Sequence, residues 1–208
     1  MRIVKEGYPF VKFFGILGLI LLIISYYIKL LIVIGLLFVL LSLLFAWFFR
    51  DPEVKITSGN NLIISPCNGT ILEISDSGSE KIIRVFLSIF DVHLQRSPVS
   101  GKILNVEHKK GKFLKAMSAT AHLVNEQNII TIENDNGIYI IKQIAGIIAR
   151  RCITWVKQGD ELKVGDKIGL IKFGSQVDLH MPKNVNIQTK VGQKVVSGYT
   201  ILAILKTV

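Results

Sequence analysis

Between Phe13 and Phe49 the chain carries a single charge, Lys29. An apolar run of that length decides the solvent before it decides the fold. One helix crosses the hydrocarbon core of a bilayer with about 20 apolar residues, and this run is nearly twice as long. A lysine at mid-bilayer is expensive. Two helices are therefore expected, FFGILGLILLIISYY (13–27) and LIVIGLLFVLLSLLFAWFF (31–49), with Lys29 at the turn and Tyr26 and Tyr27 at the interface. Arg2, Lys5 and Lys12 precede the first span, and Arg50 and Lys55 follow the second. Cations favour the cytoplasmic flanks, so both ends of the hairpin and the domain after it are assigned to the cytoplasmic side of the cell membrane. The first span is short, so a hairpin that dips in and returns stays open beside one that crosses. A cleaved signal peptide fits poorly, because the apolar region is too long and no small-x-small site follows it.

The hairpin takes residues 1–50 of 208 and leaves 51–208 for a second domain. After Arg50-Asp51-Pro52 the texture changes to short β-branched runs punctuated by glycine and proline: NLIISP, TILEI, KIIRVFLSI, GKILNVEH, NIITIEN, GIYIIKQIAGIIA and KIGLIKF. Runs of this length predict a mostly-β fold, with one helical turn around Leu114–Thr120. Two echoes organise it. Ser65-Pro-x-x-Gly69-x-Ile71 returns as Ser97-Pro-x-x-Gly101-x-Ile103. Gly159-x-x-Leu162-x-x-Gly165-x-x-Ile168-x-x-Ile171 returns as Gly192-x-x-Val195-x-x-Gly198-x-x-Ile201-x-x-Ile204. The pattern resembles lipoyl- and biotinyl-type barrel-sandwich domains, which implies a duplicated barrel-sandwich. A membrane-anchored carrier or adaptor of that type is then an alternative function. A carrier, however, needs its lysine in an Ala-Met-Lys-Met-like tetrad, and neither LKTV after Ile204 nor KFGSQVD after Ile171 supplies one.

The net charge is +10, most of it beyond the hairpin. A basic domain tethered to a bilayer is drawn to anionic headgroups. A nucleic-acid partner is not expected, because no Lys/Arg run exceeds a pair or triplet and aromatics do not alternate with bases. Cys67 and Cys152 lie in no CxxC or CxxH pattern, which argues against a metal site and for free thiols in a reducing compartment.

Among residues able to carry chemistry, His93 lies in Phe90-Asp-Val-His-Leu-Gln-Arg96. If this is a strand, Asp91, His93 and Gln95 share one face, suited to acid/base work. The competing reading is the solvated face of an amphipathic strand. His108 and His122 read as surface residues, and His180 is a weaker candidate. Gly174-Ser175 ends an apolar run. It is not a GxSxG nucleophile elbow, since no second glycine follows. A serine hydroxyl can also attack the carbonyl before it, giving an N→O acyl shift, and glycine tolerates the strained backbone this needs. Elimination and hydrolysis then break the chain and leave an N-terminal pyruvoyl group.

The surroundings of that dipeptide carry a resemblance. Val4-Lys-Glu-Gly7-Tyr-Pro, Phe48-Phe-Arg-Asp-Pro52, Ser65-Pro-Cys-Asn-Gly69, Phe86-Leu-Ser-Ile-Phe-Asp-Val-His-Leu-Gln-Arg-Ser-Pro98, Asn125-Glu-Gln-Asn128, Gln143-Ile-Ala-Gly-Ile-Ile-Ala-Arg-Arg-Cys152 and Gly159 to Asp178 occur in order. Together they make the chain similar to short-form phosphatidylserine decarboxylases along nearly its whole length. The resemblance implies a membrane-bound enzyme that removes the serine carboxylate of phosphatidylserine, or of an ether-lipid analogue. It implies cleavage between Gly174 and Ser175 into a β chain 1–174 and an α chain 175–208, an α/β heterodimer open to further oligomerisation. The cofactor is then a pyruvoyl group made from Ser175, which takes the substrate amine as a Schiff base, with no metal and no pyridoxal phosphate. His93 becomes the acid/base. Asn68 stands where many members carry an aspartate that orients a histidine for self-cleavage, so Asp91 is a substitute orienter. Arg96 stands where longer members carry a second histidine. Arg96, Arg150 and Arg151 are candidates for the lipid phosphate, although the Arg150-Arg151 pair also reads as an exposed loop. The rival reading is an uncleaved, inactive relative that binds anionic lipid.

Overall fold

The computed structural model describes residues 2–59, 61–114, 120–146, 151–172 and 175–206. The chain divides into two units, Met1–Glu53 and Val54–Val208.

In the first unit, α1 (Tyr8–Ile24) and α2 (Leu31–Phe48) form the expected hairpin, with Lys29 in the connection and Tyr26 and Tyr27 each 84% exposed. Helix α1 starts earlier than the apolar run because Pro9 lies in its first turn, where a missing N–H costs nothing. Both helices are long and apolar enough to cross a membrane. The two pack through small residues. A Cβ on Gly18 would stand 3.0 Å from the Gly35 carbonyl oxygen, and one on Gly35 would stand 3.1 Å from that of Gly18. Ser42 Oγ donates to the Val11 carbonyl at 2.8 Å. Such close approach and interhelical hydrogen bonding hold helices where no hydrophobic effect acts between them. The short strands β1 (Arg2–Ile3) and β2 (Arg50–Asp51) pair antiparallel and close the open end, so this unit reaches past residue 50. The Arg50 guanidinium lies 4.0 Å over the Trp47 ring.

The second unit is mostly β, as its texture predicts. Its strands are β3 (Leu62–Ile64), β4 (Gly69–Asp76), β5 (Glu80–Leu87), β6 (Leu94–Arg96), β7 (Gly101–Lys109), β8 (Gln127–Asn134), β9 (Gly137–Ile144), β10 (Cys152–Thr154), β11 (Glu161–Leu162), β12 (Lys167–Ile171), β13 (Ser175–Pro182), β14 (Val185–Ile187), β15 (Lys194–Val195) and β16 (Ile201–Leu205). A short helix, α3 (Ala121–Val124), lies just beyond the helical turn expected at Leu114–Thr120, of which residues 115–119 are outside the described set. The eight-stranded sheet runs β11-β7-β8-β9-β13-β5-β4-β15, and two three-stranded sheets run β10-β12-β6 and β14-β16-β3. The core is aliphatic, with Ile63, Ile83, Ile130, Ile141, Val177 and Leu179 all fully buried.

Each pairing on one side of this arrangement recurs on the other. Gly69 sits opposite Val195 and Gly101 opposite Leu162. Ile71 exchanges hydrogen bonds with Gln193 and Gly192, and Ile103 does so with Asp160 and Gly159. Arg96 N donates to Pro66 O, and Ile64 N donates to Pro98 O. The glycine echo holds through Gly165 and Gly198, then slips by one. Lys167, not Ile168, is the counterpart of Ile201, because the turn 196–200 has one residue more than 163–166. On this register Ser175 matches Gly137. Where β8 and β9 join through the tight turn Asp135-Asn136, β5 and β13 are parted by residues 88–174, and Ser175 is where the chain re-enters the sheet.

The segment Phe90–His93 does not extend as a strand. Ser88–Asp91 forms a turn, and β6 begins only at Leu94. The solvated-face reading falls with it, since His93 and Gln95 are both 0% exposed and Arg96 is 9% exposed. The reason is topological. From Val92 onward the chain links two sheets across the interior, so both of its faces meet protein, whereas Phe90 before it is exposed.

Candidate active site

Two pairings bring the sequence candidates together. Ser175 lies opposite Leu87, the last residue of β5. Six residues on, the His93 carbonyl accepts the Ile171 N–H at 3.2 Å, four residues before Ser175. The segments 87–93 and 171–175 are therefore tied at both ends. Ser175 is 0% exposed, and its Oγ has no hydrogen-bond partner among the described residues. A buried hydroxyl left so costs about 1–3 kcal/mol, which β13 sustains by pairing with both β5 and β9. Gly174 and Arg150 lie outside the described residues.

Asp91 shapes this region through its main chain. Its carboxylate accepts from Ser88 N at 2.8 Å and Ser88 Oγ at 2.7 Å, closing the turn. Its carbonyl oxygen lies 2.9 Å from His93 Nδ1. A carbonyl only accepts, so Nδ1 carries the proton, and in the neutral form of the ring the lone pair falls on Nε2. Asn68 is occupied in the turn after β15, its Oδ1 accepting Ser197 N at 3.1 Å. Arg96 Nη1 donates to the Gly165 carbonyl at 3.0 Å, which ties down the turn between β11 and β12. Arg151 is exposed, and its carbonyl accepts Lys172 N at 3.2 Å, which sets both cations at the Ser175 end of the sheet. Cys67 is fully buried. Burial, and then the Asp91 and Asp178 carboxylates, push its thiol well above the ordinary range, so it stays protonated.

Sequence reasoning missed a buried amide chain behind His93. Gln95 Nε2 donates to the His93 carbonyl at 2.6 Å, and Gln95 Oε1 accepts Gln143 Nε2 at 2.8 Å. Gln143 Oε1 accepts Asn128 Nδ2 and Thr154 Oγ1, both at 3.3 Å, and His108 Nδ1 meets Asn128 Oδ1 at 2.7 Å. Gly169 makes room for it, since a Cβ there would fall 2.6 Å from Gln143 Nε2. At the matching positions of the other half stand Ile63, Met181, Lys81 and Ile187. The same backbone thus packs without this network, which singles it out as a feature of the His93 side. Asn128 and Gln143 do stand in the quoted Asn125–Asn128 and Gln143–Cys152 segments, the one signal that could have found them. Gln143→Met should lower stability by about 1–3 kcal/mol by stranding the buried Gln95 Oε1, read as a shift of the urea midpoint in detergent solution.

His180 lies on the outer face of β13, with Nδ1 3.0 Å from Glu80 Oε2. Burial and the Lys142 ammonium lower its pKa below the ordinary 6.5, against the pull of Glu80 and Asp178. The fold therefore holds it neutral. Below pH 6.5 the unfolded chain takes up a proton that the folded chain refuses. The stability present above that pH is lost as pH falls toward the folded pKa. His180→Gln should flatten that slope in urea titrations run above and below 6.5.

These features define a β-rich protein with a membrane-type helical hairpin and a buried serine heading a central strand. Residues 41–203 match the phosphatidylserine decarboxylase family. A phosphatidylserine decarboxylase proenzyme of Geobacter sulfurreducens is 37% identical over 211 aligned residues, covering 98% of this chain and 96% of its own. Proenzymes of the same name from Geotalea uraniireducens and Geobacter metallireducens are 36% and 35% identical at the same coverage. The chain belongs to the phosphatidylserine decarboxylase family, which are carboxy-lyases.

Proposed function

We propose that this protein decarboxylates phosphatidylserine to the ethanolamine lipid and CO₂ after cutting its own chain at Gly174-Ser175. The observation that carries the reading is the buried Ser175 Oγ at the re-entry point of β13, on a segment tied to His93. In the self-cleavage step Ser175 Oγ adds to the Gly174 carbonyl carbon and the peptide nitrogen leaves, which gives an ester. Loss of the Cα proton expels the Gly174 carboxylate and leaves a dehydroalanyl amine. Tautomerisation and attack by water release ammonia and leave the pyruvoyl group. His93 Nε2, the basic nitrogen left by the Asp91 contact, takes the Ser175 hydroxyl proton. That orienting contact comes from a main-chain carbonyl, so it needs no carboxylate at position 68.

The position of Ser175 suits the group. A pyruvoyl unit is no larger than serine, and the strand bearing it is held by β5 and β9. The same pairings support an α chain 175–208 that stays with the β chain 1–174 as a heterodimer, since β15 also pairs with β4 and β16 with β3. The pyruvoyl carbonyl supplies the electron sink for the pair left when CO₂ departs. His93 then returns a proton to the substrate carbon. Arg151, exposed beside Lys172, suits the lipid phosphate. Arg96, engaged with Gly165, serves that turn instead. The recurring register supports the reading of the β unit as a duplicated lipoyl/biotinyl-like barrel-sandwich. The cationic flanks Arg2, Lys5, Lys12 and Arg50 support a hairpin anchored with both ends on the cytoplasmic side.

Mass spectrometry of the purified chain tests the reading. A fragment starting at residue 175 with a carbonyl-reactive, amine-free N-terminus, together with CO₂ release from phosphatidylserine vesicles, is the expected result. A chain that stays whole after prolonged incubation and releases no CO₂ leaves the lipid-binding relative in its place.

A further inference from the structure

The eight-stranded sheet has two unlike ends. At one, the chain turns through Asp76-Ser77-Gly78-Ser79 and Asn134-Asp135-Asn136 and passes on through Lys183-Asn184. Among the described residues Ile138 is the only large apolar side chain exposed beside these turns. The other end is where β13 begins at Ser175. Among the connections at this end are one after β5 and one between β7 and β8. They expose Ile89 (45%), Phe90 (66%), Phe113 (38%), Leu114 (37%), Leu123 (61%) and Val124 (37%). In the order β8-β9-β13-β5 the two connections flank Ser175, about 14 Å apart at roughly 4.8 Å per strand. Soluble monomers rarely leave large apolar side chains grouped in this way.

Cations accompany them. Lys109, Lys110 and Lys112 are exposed on the β7 connection, and exposed Arg151 adjoins Lys172. Among the described residues, three carboxylates lie on these two connections and the strand ends beside them. Glu107 is exposed, Glu126 is half-buried, and that of Asp91 is engaged with Ser88. Positive charge therefore prevails.

We propose that this rim is a seat on which the β unit itself rests on an anionic phospholipid bilayer. Phe90 and Leu123 enter the headgroup–acyl boundary, and the lysines meet lipid phosphates. Apolar tips interleaved with cations are the chemistry of interfacial binding. The inference rests on the reading that Ser175 acts on a phospholipid. It adds that the site opens onto the bilayer, so the substrate reaches Ser175 without leaving the surface.

The test uses the full chain in vesicles of phosphatidylcholine and phosphatidylglycerol. An environment-sensitive fluorophore is placed on Leu123→Cys. Buried Cys67, and Cys152 whose thiol is pushed up to about 12 by burial and Glu126, should label slowly, with the unsubstituted chain as control. Blue-shifted emission quenched by lipids that carry a quencher is expected. Emission typical of water overturns the seat. So does a blue shift that lipid-borne quenchers leave untouched, which would mean that a second copy covers the rim. In a second arm, Phe90→Ser with Leu123→Ser should raise KM for vesicle phosphatidylserine about tenfold, and should leave turnover of monomerically dispersed short-chain phosphatidylserine within about twofold. An equal loss on both substrates overturns the seat. A quenched label on the Leu123→Cys chain, together with a wild-type chain that decarboxylates neither substrate, keeps the seat and removes the decarboxylase reading.

Discussion

Ser175→Ala is expected to run as one unbroken chain on a denaturing gel and to release no CO₂ from phosphatidylserine. Both losses have one cause. In the proposed reaction the hydroxyl at this position is the nucleophile of the cut and supplies the oxygen that leaves as the ester is eliminated, and alanine has no such group. Folding should survive. Ser175 Oγ has no partner among the described residues, so its removal strands nothing that they contain and relieves a buried polar group. The backbone pairing of Ser175 with Leu87 does not involve the side chain. The control is a thermal midpoint no lower than that of a wild-type chain caught before cleavage. A Ser175→Ala chain that still yields a fragment beginning at residue 175 would place the break elsewhere and remove Ser175 from the chemistry.

His93→Gln should follow in size. Glutamine can still donate to the Asp91 carbonyl and fills much of the imidazole's volume, so a fully buried position is not emptied. What it lacks is a nitrogen that can take a proton and return it. One well-placed acid/base contributes about 10²–10⁴-fold. The formation of the fragment from residue 175 should slow by that order, and kcat in any chain that matures should fall similarly with KM little changed. Stopped-assay time courses of fragment and CO₂ separate the two steps. Normal rates in both would take His93 out of the mechanism.

Much of this was legible in the residues. The hairpin followed from charge spacing alone, since one lysine in a long apolar run admits few foldings in a bilayer. The mostly-β texture followed from the length and branching of the apolar runs. Gly174-Ser175 by itself is an ordinary turn dipeptide, and the motifs around it are what made it conspicuous. The surroundings of His93 were misjudged. Alternation suggested a half-solvated strand, whereas the crossover from Val92 onward has no outer face, and burial there is set by partners distant in sequence. The Gln95–Gln143–Asn128 chain was hidden for a related reason. Its three amides lie on β6, β9 and β8, and nothing local marks them as neighbours.

By itself, then, the sequence determined what each segment is made to do. It set an apolar hairpin by hydropathy, strands by side-chain branching, and, through the short motifs around Gly174-Ser175, a likeness to the decarboxylase family. Those properties are local, written in a few consecutive residues. Only the tertiary structure decided which groups meet. It returned the chain to the sheet at Ser175 and pinned His93 to Ile171. It oriented the imidazole by the Asp91 carbonyl rather than by a carboxylate, and it gathered the exposed apolar tips around one end of the sheet. These outcomes depend on strand register between residues tens of positions apart, and register is fixed by the packing of the whole unit.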